Sequence, residues 1–102
     1  MVELSSKDIA ALKAEAQSLD VGMHVGKAGI TDTLISELDD QLTRHRVVKV
    51  RLLKSAREET GRHDLADELA ERTGAILVEV RGNTAVFYRP RGMRRPKPAA
   101  EE

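Results

Sequence analysis

A chain of 102 residues, 40% hydrophobic and 33% charged, holds material for one domain with its own apolar core and no second. The absence of cysteine excludes a disulfide framework and a thiolate metal site, and fits a reducing, cytoplasmic setting. Seventeen basic and seventeen acidic side chains cancel, which by itself argues against a nucleic-acid binder.

The distribution of charge argues the other way. Residues 22–57 carry seven basic against four acidic side chains and residues 75–100 six against one, whereas residues 58–74 carry two against six. A neutral chain with such blocks can present a positive face to a polyanion. One Phe, one Tyr and no Trp leave few rings on which bases could stack. The N-terminus lacks an apolar signal core, and no run of about 18 apolar residues occurs, so no membrane segment is expected.

In chain order, Ser5 or Ser6 caps a first helix, with Asp8 placed as in a capping box. Ile9, Leu12, Ala16 and Leu19 follow at helical spacing. After Gly22, Met23 and Val25 alternate with His24 and Gly26 as in a short strand. Thr31 reads as the N-cap of a second helix, with Asp32 in its first turn and Ile30 and Ile35 at staple positions. Leu34, Ile35, Leu38 and Leu42 form its inward face. Val47 to Leu53 alternates, with Val48, Val50 and Leu52 on one side and Lys49 and Arg51 on the other. Lys54 to Gly61 reads as loop or an early helical turn. A third helix buries Leu65, Ala66, Leu69 and Ala70 and stops at Gly74. Ala75 to Val80 is a strand, Gly82-Asn83 a two-residue hairpin turn, and Thr84 to Tyr88 the returning strand. Residues 1–90 make the folded domain; residues 91–102, rich in Arg and Pro, are expected to be a basic disordered tail. The order αβαβαββ predicts a compact α/β domain, with helices packed on a four-stranded mixed sheet that ends in an antiparallel hairpin.

Several features carry chemistry. Gly26-Lys27-Ala28-Gly29 lies between the first strand and the second helix, where free N–H groups and a lysine suit an anion. A bare GxxG is more often only a turn, and the spacings of the P-loop and the dinucleotide fingerprint are missing. Lys49 and Arg51 share one strand face, and Arg81 and Arg89 flank the last hairpin; together with Lys27 they would make a basic surface, or else an ordinary polar sheet face. His24, His45 and His63 lack helical metal spacing, and no triad signature occurs, so no metal, cofactor or enzymatic activity is expected. The carboxylates from Glu58 to Glu71 stand beside Arg62 and Arg72 as a solvated face.

Taken in order, "VGKAGIT" (Val25 to Thr31), "VVKVRL" (Val47 to Leu52) and "ERTGAILVEVRGNTAVFYRP" (Glu71 to Pro90) resemble the CRM domain, the RNA-binding module of the YhbY-like proteins. The resemblance spans roughly residues 4 to 90. It implies a fold similar to the C-terminal domain of translation initiation factor three and an RNA-binding GxxG loop. It also implies a role with precursors of the large ribosomal subunit, as in single-domain bacterial members. Carried onto this chain, the loop is Gly26, Lys27, Ala28 and Gly29, the basic strand positions are Lys49 and Arg51, and Arg89 belongs to the closing motif. Arg46 replaces an acidic residue that bacterial members often have before the second strand, which implies a more basic edge. The expected function is binding of structured RNA, ribosomal RNA above all, by a monomer through the loop and the basic sheet residues Lys49, Arg51, Arg81 and Arg89. The rival is a protein-interaction domain of a ribosome-associated complex.

Overall fold

The computed structural model describes residues 4–57 and 60–90. The expected tail, residues 91–102, and the carboxylates Glu58 and Glu59 lie outside the described residues. The elements run α1 (Ser6–Gln17), β1 (Met23–Val25), α2 (Asp32–Arg44), β2 (Val47–Leu52), α3 (Lys54–Arg57), α4 (Arg62–Thr73), β3 (Ile76–Arg81) and β4 (Thr84–Tyr88). The expected αβαβαββ order holds, and the ambiguous stretch after β2 forms one helical turn, α3.

Local chemistry sets the boundaries. At α1 the Ser5 hydroxyl accepts from the Asp8 N–H at 3.1 Å while the Asp8 carboxylate accepts from the Ser5 N–H, so two otherwise orphaned donors are satisfied reciprocally. Thr31 caps α2 by accepting from the Leu34 N–H at 3.1 Å. Gly74 ends α4 in the left-handed conformation, φ 70°. At the β3–β4 turn only Gly82 has positive φ, as a Gly-X hairpin of the II′ kind requires.

The strands order β1-β2-β4-β3. β1 pairs parallel with β2, and β4 lies antiparallel between β2 and β3, so β2 and β3 point the same way. Each sheet face has its own core. On one, α2 and α4 pack Ile35, Leu38, Leu42, Leu65 and Leu69 against Val25, Val50, Leu52 and Phe87. On the other, α1 packs Leu12 and Ala16 against Val47, Val78 and Val86. A register shift between Leu77 and Glu79 makes this possible. The extra residue places both Val78 and Glu79 on the α1 side, so that Leu77 and Val80 both face the larger core and Arg81 falls on the α1 side. The α1 core uses Val47, Val78 and Val86, all away from the end of the sheet where Arg51 and Arg81 stand. That end is left open.

Candidate functional site

The GxxG segment is a closed turn. The Gly29 N–H donates to the Gly26 carbonyl at 2.9 Å, and neither Lys27 nor Ala28 has positive φ, which matches a type I turn with glycine at its fourth position. Gly29 has φ 70°, so a side chain there would be strained; a Cβ on Gly26 would meet only Leu53 Cδ1, at an ordinary 3.7 Å. The tip residues Lys27 and Ala28 are both exposed. The helix behind the turn adds less than the sequence suggests. Asp32 already faces its positive end, and that carboxylate accepts from Arg72 of α4 at 3.0 Å. Attraction for an anion here rests on Lys27 and the turn's own N–H groups.

The open end of the sheet supplies the second element. Pairing register places His24, Arg51, Thr84 and Arg81 in one row across all four strands, on the face away from the larger core. His24, Arg51 and Arg81 are exposed. With neighbouring strands about 4.8 Å apart, Arg51 and Arg81 stand roughly 10 Å from each other. Arg81 Nε lies 3.8 Å from Glu79 Oε1, a loose pair with a half-buried carboxylate. A hollow of 310 Å³ opens between Arg81, Thr84, Lys49 and the end of α1. The GxxG turn follows directly on β1, and the Val25 carbonyl accepts from the Leu53 N–H at 2.9 Å. The loop, Arg51 and Arg81 therefore share one end of the molecule.

Two expected contact residues have other work. Lys49 sits one row closer to α1, half-buried, and its Nζ donates to the Leu19 carbonyl at 3.0 Å, tying down the chain after α1. Arg89 is a correction. Its side chain is 1% exposed, which removes it from any surface that RNA could touch. Its guanidinium donates to Asp39 Oδ1 at 2.6 Å, the Thr73 carbonyl at 2.8 Å, the Asp39 carbonyl at 3.0 Å and Thr43 Oγ1 at 3.1 Å. It locks the middle of α2 to the end of α4 and to the chain leaving β4. Period-two alternation carried the signal, since Arg89 follows Ala85 and Phe87, both core residues. Arg46 likewise adds less positive charge than expected, because its Nη2 pairs with Glu15 at 3.2 Å. By sequence alone His24 is a solvated strand residue; only the β1–β2 register reveals that it extends the row of Arg51.

Among the described residues no three His, Asp or Glu side chains gather as a metal would need, and no helix is long and apolar enough to cross a membrane.

The family model of the CRS1/YhbY (CRM) domain matches residues 4–89. The chain is 30% identical over 86 residues to a Bacillus subtilis protein named "Probable RNA-binding protein YqeI", covering 84% of this chain and 88% of that one. A probable RNA-binding protein of Methanocaldococcus jannaschii is 33% identical over 89 residues, 87% of this chain and 66% of its own length. Among solved structures, the solution structure of a hypothetical Staphylococcus aureus protein, a candidate RNA binder, superposes with a TM-score of 0.71 at 29% identity, covering 97% and 96% of the two chains. With residues 4–89 matched, nearly the whole of the described chain, the protein belongs to the CRS1/YhbY (CRM) domain family.

Proposed function

We propose that this protein binds structured RNA by its phosphates, and that its RNA is ribosomal RNA of the large subunit during assembly. One observation carries the binding mode: an exposed Lys27 on a closed glycine turn stands at the same end of the sheet as the exposed row of His24, Arg51 and Arg81. Loop N–H groups and cations contact phosphates and give position and affinity with little sequence information. The names of the relatives support RNA as the polyanion. Phe87 is fully buried, and Tyr88 packs half-buried on the α1 core opposite Val47, at the far end of the sheet from Arg51, so no sheet aromatic stands beside the basic row for bases to stack on. The protein acts by binding, as a monomer in the cytoplasm, and carries out no chemical step.

Crosslinking the protein to RNA in cells and sequencing what is recovered tests the target. Enrichment of large-subunit ribosomal RNA is expected. Recovery of ribosomal proteins with no RNA above background would favour the rival reading, a protein-interaction domain with incidental basic patches.

A further inference from the structure

A hollow of 370 Å³ lies behind the GxxG turn, on the side of the larger core and away from the basic row. Its floor is apolar, formed by Ile30, Ala56 and Leu65, and its rim carries Ser55, Thr60 and Glu68. Lys27, Ala28 and Gly29 form its other wall, so the phosphate-binding turn and the hollow are one continuous surface. The volume falls in the range of small-ligand sites, and the exposed lining is more polar than apolar.

We propose that this hollow takes a single unpaired guanine of the bound RNA, flipped out of its strand beside a phosphate held at Lys27. The proposal rests on the reading of the turn as a phosphate contact and adds sequence selection to it. An aliphatic floor accepts a base face without an aromatic ring, and unstacked bases in loops and bulges are what sequence-selective RNA binders read. The Glu68 carboxylate decides which base. An ionised carboxylate is an acceptor only, with two oxygens that can take two parallel N–H bonds. Guanine alone presents two adjacent donors, N1–H and N2–H, on its pairing edge. Cytosine and adenine each offer one amino donor beside an unprotonated ring nitrogen, which a carboxylate repels. Arg72, one turn along α4, pairs with Glu68 at 3.4 Å and so limits where the carboxylate can swing. The Ser55 and Thr60 hydroxyls at the rim can serve as partners for the ribose.

The test uses the full-length protein and four RNA hairpins identical except for one bulged nucleotide, G, A, C or U. The wild type is expected to prefer the G bulge by at least about fivefold, the lower end for a bidentate contact with a base. Glu68→Ala should level the four affinities by weakening the G hairpin alone. Glu68→Gln, which presents one donor and one acceptor, should blunt the G preference in favour of A and C, whose pairing edges also pair a donor with an acceptor. A structural role for Glu68 would not reorder the bases. Equal affinities in the wild type, a G preference that survives Glu68→Ala, or a weakening shared by all four hairpins would overturn the inference. Displacement of the G hairpin by micromolar free GMP would make a mononucleotide the ligand and overturn the assignment to RNA. Lys27→Asp/Ala28→Asp separates the two readings. If it abolishes binding of every hairpin while the wild type shows no base preference, the turn stands as the phosphate site and the guanine pocket does not.

Discussion

Replacing Arg89 with Met keeps most of the side-chain length and removes the charge and every donor. Four hydrogen bonds go, and the Asp39 carboxylate, with only 24% of its side chain exposed, is left without its counter-ion. Breaking a buried charge pair from one side costs about 3–5 kcal/mol. Because a quarter of Asp39 still meets water, the lower end, about 3 kcal/mol, is the better figure. For a domain of this size each kcal/mol is worth about 4–8 °C, so the melting midpoint should fall by at least about 12 °C. The double variant Arg89→Met/Asp39→Leu should melt above the single one, because it leaves no unpaired carboxylate. Circular dichroism melts give the midpoints, and RNA affinity measured well below them should be near normal. An unchanged midpoint accompanied by weakened binding would refute the structural role and return Arg89 to the interface.

Other expectations follow from the same geometry. Gly29→Ala should cost about 1–2 kcal/mol because its φ is left-handed, whereas Gly26→Ala should be nearly silent in the same melts. Lys49→Met should lower stability by about 1 kcal/mol by removing the bond to Leu19, while Arg51→Ala should leave the midpoint alone and weaken RNA binding. Removing residues 91–102 should weaken binding chiefly at low salt. The plot of log K against log salt should flatten by roughly 0.7 for each phosphate of single-stranded RNA that the tail neutralises; an unchanged slope would take the tail out of binding.

Much of this architecture is written locally. Ser5 with Asp8, Thr31 with Leu34, and Gly82 each fix a boundary through a bond or a φ within three residues, so sequence spacing reveals them. The alternation of β2 likewise separates Val48, Val50 and Leu52 from Lys49 and Arg51. What sequence spacing does not reveal is long-range. Whether Arg51 and Arg81 share a row depends on β4 entering between β2 and β3 and on a bulge at Val78 that reverses the parity of β3. How much of the face stays open depends on where α1 ends. Lys49 looks free in sequence because the Leu19 carbonyl that holds it lies 30 residues away. Arg89 has partners 16 to 50 residues distant, and an arginine after a strand reads as surface until its parity with Phe87 is followed.

The most direct measurement pairs RNA affinity with thermal melting for Lys27→Asp/Ala28→Asp. Both residues are exposed at the tip of a turn whose closing bond, Gly29 N–H to Gly26 carbonyl, involves neither side chain. The midpoint should stay within a few degrees of wild type, and affinity for structured ribosomal RNA should fall at least about tenfold, or about 1.4 kcal/mol. Undiminished binding by a variant that melts normally would contradict the assignment of the GxxG turn as the RNA contact.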